Sequence, residues 1–200
     1  MSLNTTPLAA TREVLIDGRP LRVFDGHLPN IAEYAQGLSR AAFTRSEYAR
    51  PETIDHKHWA TEIKLDVLVQ QSIFEATRRA VLGFTTPAFG YRPYRAYTNV
   101  AHYGDMLFSH TDCMPDQHDL TALWYVCERW DLEWGGETMF YDASDEVACA
   151  VTPRPGRLVI FDGAIKHAGR PPNRICYAPR YTLAIKFERA PVADVQRGNV

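Results

Sequence analysis

The sequence predicts a mainly β fold with flanking helices, in which a double-sheet jelly roll carries the chemistry. Three observations predict it. After Pro87 the chain becomes a series of short segments rich in aromatic and β-branched residues, punctuated by Gly and Pro, as in a sandwich or barrel of strands. Ahead of them lie two apolar-periodic stretches that read as helices, enough to cover one face of a double sheet. The length of 200 residues, with 46% hydrophobic and 23% charged side chains, is that of ordinary globular protein with room for a real core.

The elements follow in order. Residues 1–12, rich in Thr and Ala, read as loose chain. Residues 13–16 and 21–24 flank Asp17-Gly18, a hairpin signal. Pro29-Asn30 opens an apolar-periodic stretch over 31–43 that predicts a helix. Residues 44–63, polar and carrying Pro51, His56, His58 and Trp59, predict a long loop, read as solvated with closure over a substrate as the alternative. A helix is expected over 65–82, where Leu65, Val69, Ile73, Ala76 and Ala80 share a face and Gly83 supplies a stop. Strands are expected at 94–103, 120–127, 138–141, 147–151, 157–161 and 181–187, with a sharp turn at Trp134-Gly135-Gly136-Glu137-Thr138. The reading is one domain over 1–200, with N-terminal strands and supporting helices in 1–93 and the jelly-roll core in 94–188.

Composition narrows the function. With 22 basic and 24 acidic side chains the formal net charge is −2, which argues against nucleic acid or an anionic membrane as partner. No apolar run reaches the length of a membrane span, and the first residues lack a basic start and apolar h-region, so a cytoplasmic protein is expected. Cys113, Cys127, Cys149 and Cys176 show no C-x-x-C spacing and read as free thiols.

One constellation points to a metal. His110 and Asp112 stand at i and i+2, which in extended chain puts both side chains on one side with Cα atoms roughly 6.5–7 Å apart. His167 follows 55 residues later, after the buried-strand run 157–161 and the turn Asp162-Gly163. Two imidazoles and one carboxylate form the facial triad that holds iron(II) and leaves positions open. Arg180 opens the last clear strand, where Arg180, Thr182, Ala184 and Lys186 share one face. A guanidinium fork beside small residues suits a small dicarboxylate. His27, His102 and His118 read as solvated or structural.

At this point the sequence resembles the 2-oxoglutarate/Fe(II)-dependent oxygenases of the prolyl 4-hydroxylase-like superfamily. The motifs that carry the resemblance are Tyr103-Gly104-Asp105, His110-x-Asp112, Leu123-Trp124-Tyr125-Val126, Gly135-Gly136-Glu137-Thr138-x-Phe140, the run Pro155-Gly156-Arg157-Leu158-Val159-Ile160-Phe161, His167 and Arg180-Tyr181-Thr182, in that order. The resemblance implies a double-stranded β-helix with Fe(II) held by His110, Asp112 and His167, which are then also the catalytic residues. It gives Arg180 the distal carboxylate of 2-oxoglutarate, with Thr182, Tyr125, Tyr97 and Asn99 as further cosubstrate contacts. One departure is Ala101, where many prolyl hydroxylases carry tyrosine.

The chemistry implied is O2-dependent decarboxylation of 2-oxoglutarate to succinate and CO2, coupled to hydroxylation of a substrate. The carboxylate of Asp112 sets the chain apart from related halogenases, which lack it. Nothing in 1–93 resembles a peptide-binding domain, so the expected substrate is a small molecule: an amino acid, a sugar or a natural-product intermediate. The aromatics Trp59, Trp124 and Trp130 are candidates for its pocket. The rival readings are a non-catalytic 2-oxoglutarate- or metal-binding sensor, a hydroxylase of a protein substrate, and a cupin-type metalloenzyme that needs no keto acid.

Overall fold

A computed structural model describes residues 6–28 and 30–197. The predicted hairpin is β1 (Arg12–Ile16) and β2 (Arg19–Phe24), turning at Asp17 and Gly18, both with positive φ (49° and 77°). Two left-handed residues make the tight turn that matches strand twist. Pro29 lies outside the described residues. Helix α1 runs Ile31–Leu38, shorter than the expected 31–43, and buries Ile31 and Ala35.

The expected loop at 44–63 is corrected. It contains β3 (Thr44–Glu47) and β4 (His58–Glu62), with a 3-10 turn at Pro51–Thr53. Trp59, Ala60, Thr61 and Glu62 pair with Val100, Asn99, Thr98 and Tyr97 of β5 (Phe89–Ala101). The polar sequence that suggested a loop is that of a sheet edge, where charged side chains face water and discourage further pairing.

The helix expected over 65–82 is broken into α2 (Leu65–Leu68) and α3 (Ser72–Val81), with Gln71 extended between them. The residues that reach the core are Leu68, Ile73, Ala76 and Ala80, while Val69 is exposed. On one straight helix Leu68 and Ile73 would point about 140° apart. The break lets both pack inward.

Four of the remaining strands fall close to expectation, β6 (Leu120–Tyr125), β7 (Thr138–Tyr141), β8 (Val147–Val151) and β9 (Leu158–Asp162), whereas β10 (His167–Gly169) was not expected and β11 (Arg180–Pro191) runs past the expected end at 187. Helix α4 (Val192–Arg197) follows. An eight-stranded sheet has the order β1-β2-β9-β6-β11-β5-β4-β3, and a three-stranded sheet the order β10-β7-β8. This double-sheet arrangement is the predicted jelly roll.

The large sheet has a core on each face. On one, Ala122, Trp124, Leu158, Ile160, Leu183, Ile185 and Phe187 pack against Ile31, Ala35, Leu68, Ile73, Ala76 and Ala80 of the helices. Trp124 is fully buried there, and its indole N–H donates to Thr77 Oγ1 on α3 at 2.8 Å. On the other, Tyr125, Val159 and Phe161 meet Phe140, Cys149 and Val151 of the small sheet. That second core fills only part of the space between the sheets; polar side chains line the rest. Among the described residues no helix is long and apolar enough to cross a membrane.

Candidate metal centre

The three candidate ligands come from segments that only main-chain pairing brings together. His110 ends a non-regular stretch, yet its N–H donates to His167 O and the N–H of His167 donates back to His110 O, both at 2.9 Å. The N–H of Asp112 donates to Gly163 O at 2.7 Å, tying it to the turn after β9. The extended chain required by i, i+2 spacing is thus an extra strand-like rung beside β10 rather than a strand of its own.

One ligand atom from each of His110, Asp112 and His167 can be chosen so that all lie within 4.8 Å of one another. His110 Nε2 is 3.4 Å from Asp112 Oδ1, and His167 Nε2 is 3.6 Å from Asp112 Oδ2. Each imidazole uses its Nδ1 for a carbonyl two residues back, Phe108 O at 3.1 Å and Ile165 O at 3.0 Å. A donor at Nδ1 leaves the Nε2 lone pair for a cation and fixes the ring. Burial holds His167 down to about 4, so it is neutral at neutral pH, the form that binds metal. Burial works against ionisation of Asp112, but the Lys186 ammonium beside it outweighs this and keeps the carboxyl well below its ordinary range. Neutral nitrogens and an ionised carboxylate, converging from one side, fit a divalent cation.

The cavity beside this cluster is lined by Tyr97, Asn99, Thr121, Thr182, Arg180 and Lys186, among others. Arg180 is 4% exposed, and no carboxylate pairs with it among the described residues. Its Nε donates to Gly136 O at 2.6 Å and its Nη2 to Thr138 Oγ1 at 2.9 Å. Gly136 has a φ of 80°, and a Cβ there would lie 2.9 Å from Trp130 and 3.3 Å from Arg180 Cδ, so the guanidinium stem needs glycine at this turn. A buried guanidinium with unused N–H groups is costly unless an anion reaches it. The site therefore fits the distal carboxylate of a keto diacid as well as the metal.

Of the other expected contacts, Tyr97, Asn99 and Thr182 line the cavity. The Asn99 Oδ1 atom is buried with no hydrogen-bond partner, an acceptor aimed at nothing in the chain. Tyr125 stands behind the wall: its hydroxyl bonds Thr138 Oγ1 at 2.7 Å and Val151 O at 3.0 Å, and the Arg180 guanidinium lies 5.4 Å from its ring centre. It braces Arg180 rather than facing the cavity. None of the candidate tryptophans is on the wall. Trp124 is in the helix-facing core, Trp59 is exposed, and Trp130 donates to Gly135 O at 2.9 Å.

Sequence reasoning missed His58, Phe108 and Thr121 on the wall, and assigned no role to Lys186. Lys186 was legible in part, because it shares the face of Arg180. His58 was hidden by reading its strand as a loop; burial lowers its tendency to charge. The Cys113 thiol beside Asp112 is pushed up to about 11 by burial and stays protonated. All four cysteines are free.

Residues 98–187 match the family model described as the 2OG-Fe(II) oxygenase superfamily. That stretch, nearly half of the chain, carries the signature of the 2OG-Fe(II) oxygenase superfamily. Oxygenases of this superfamily use Fe(II), 2-oxoglutarate and O2, and His110, Asp112 and His167 offer the iron a site. The chain also shares its fold with solved structures. One is a prolyl-4-hydroxylase from Pseudomonas putida, 18% identical over 84% of this chain and 92% of that one, with a TM-score of 0.56. A viral collagen prolyl hydroxylase from Paramecium bursaria Chlorella virus-1 is 17% identical over 88% and 99%, with a TM-score of 0.59. The 2-oxoglutarate-dependent epimerase SnoN from nogalamycin biosynthesis is 15% identical over 84% and 76%, with a TM-score of 0.57. No curated protein matches the sequence.

Proposed function

We propose that this oxygenase is a hydroxylase of a small molecule, with iron held by His110, Asp112 and His167 and the distal carboxylate of 2-oxoglutarate held by Arg180. The observation that carries the reading is the shared cavity: three ligand atoms within 4.8 Å of one another and a buried guanidinium that lacks a carboxylate. When bound, Fe(II) and 2-oxoglutarate supply the O2 chemistry, with succinate and CO2 as coproducts. The chain supplies position and dryness. The Nδ1–H bonds to Phe108 and Ile165 fix both rings. The Thr121 hydroxyl donates to Asp112 Oδ2 at 2.5 Å and holds one oxygen of that carboxylate, leaving the other for the metal. Thr182 and Ala184, small and buried, lie between Arg180 and Lys186 on β11 and leave room for the body of the keto acid.

A small substrate is supported by the way the cavity is walled. Ala49, His58 on β4, and Leu107 and Phe108 ahead of His110 bring separate segments around the cluster, which makes a pocket rather than a long groove. Conversion of 2-oxoglutarate to succinate, measured with Fe(II) and O2 and with a library of small acids, sugars and amides, tests the reading. Succinate that rises with one small molecule, together with a hydroxylated product, supports it. Stimulation by peptides alone counts against the small-molecule assignment, and no succinate under any condition counts against the enzyme.

A further inference from the structure

Lys186 is a cation for which the proposed chemistry has no use. It is 6% exposed, it sits on the cavity wall, and its ammonium contacts Asp112 Oδ2 and donates to Thr121 Oγ1 at 3.1 Å. An ammonium has three N–H donors, so one is left beyond these two partners. Lys186 lies opposite Thr121 in the sheet and six residues along β11 from Arg180, so the two cations mark opposite ends of the cavity, with Asp112 at the Lys186 end. No aspartate or glutamate lines the cavity wall itself.

Counting charges shows what this means for the loaded site. Arg180 is neutralised by the distal carboxylate of 2-oxoglutarate. The two positive charges of Fe(II) are balanced by Asp112 and by the carboxylate next to the keto group. The buried site then keeps one positive charge in excess at Lys186, since the single negative charge of Asp112 is already counted against the metal. Buried charges without a counter-ion are strongly disfavoured, so the site lacks one anion that neither the protein nor the cosubstrate supplies.

We infer that Lys186 is a specificity-determining residue that receives a monoanionic carboxylate of the substrate beside the metal, which makes the substrate class small carboxylic acids. One free donor on a single ammonium suits a carboxylate better than a phosphate dianion, which would need several. The inference rests on the iron and 2-oxoglutarate reading above and deepens it.

The test keeps the two apart. The absorption band formed by anaerobic Fe(II) and 2-oxoglutarate comes first; if the wild-type protein does not form it, the function reading fails. With the band established, Mn(II) replaces Fe(II), 2-oxoglutarate is added, and acetate is titrated while paramagnetic relaxation of its methyl protons is followed, with acetamide as the neutral control. Relaxation that saturates for acetate and is absent for acetamide is expected in the wild-type protein. Lys186→Met should weaken acetate about 10-fold or more, as loss of a charged hydrogen bond does. Lys186→Arg, which keeps the charge, should retain it. Absence of acetate relaxation in the wild-type protein, or equal relaxation in Lys186→Met from acetate bound to the metal alone, overturns the inference. So does a Lys186→Met protein that no longer forms the Fe(II) and 2-oxoglutarate band at saturating metal, because Lys186 would then serve to hold Asp112.

Discussion

The two faces of β11 do opposite work. Leu183, Ile185 and Phe187 turn toward the helices and join Trp124, Leu158 and Ile160 in an apolar core. Arg180, Thr182, Ala184 and Lys186 turn toward the small sheet and line the cavity. Both faces are buried, but burial on the first removes apolar area from water and stabilises the fold. On the second it buries the Arg180 guanidinium without a carboxylate, and the Lys186–Asp112 pair beside it, at a cost to the fold. The contrast between Arg157 and Arg180 makes the same point. Arg157 is also buried, yet its Nε and Nη2 donate to both oxygens of Asp25 at 2.8 and 2.9 Å. Arg157 finds its carboxylate inside the chain; Arg180 does not.

Substitutions should separate the faces. The largest expected effect is loss of turnover in His110→Ala or His167→Ala, each of which removes a metal ligand; iron-dependent succinate formation at the wild-type rate in either variant breaks the site assignment. On the helix face, Ile185→Ala should cost about 2–5 kcal/mol of stability, as other buried aliphatic truncations do. Urea denaturation measures this, and below the transition the variant should still form the Fe(II) and 2-oxoglutarate band. Arg180→Ala should show the reverse: cosubstrate affinity falls roughly 10–150-fold, the range for a lost charged hydrogen bond of about 1.5–3 kcal/mol. Calorimetric titration of 2-oxoglutarate checks it, and an unchanged affinity would remove Arg180 from the cosubstrate site.

The smallest effect concerns the structural pair. The Arg157 hydrogen bonds, against the opposing effect of burial, keep the Asp25 carboxyl below its ordinary value. A lowered folded value means the stabilisation is present above the unfolded carboxyl pKa of about 3.9 and is lost as pH falls through the folded value. Asp25→Asn should therefore flatten the acid side of the stability profile and leave the cavity untouched. Asp25 is partly exposed, so screening by solvent keeps the effect modest.

The strands of the second half were readable because each is short, β-rich and bounded by Gly or Pro. The candidate metal cluster was readable because His-x-Asp needs extended chain and a second His follows a buried strand. What escaped was set by neighbours far away in sequence. The strand at His58–Glu62 was hidden because its partner residues on β5, Tyr97 to Val100, lie far along the chain. The helix break at Val69–Gln71 serves Leu68 and Ile73, whose common destination is a sheet face not yet formed when the periodicity is read. The candidate tryptophans carry no mark that tells a core ring from a pocket ring.

By itself, the sequence determined the β alternation, the turn glycines and the chemical identity of the donors, since these depend on side-chain type and spacing within a few residues. Only the tertiary structure decided that the N–H groups of His110 and Asp112 reach His167 and Gly163, that Tyr125 braces Arg180 from behind, and that Lys186 lies against Asp112. Those are through-space facts. They follow from which strands pair and in what register, and pairing is fixed by the whole core at once.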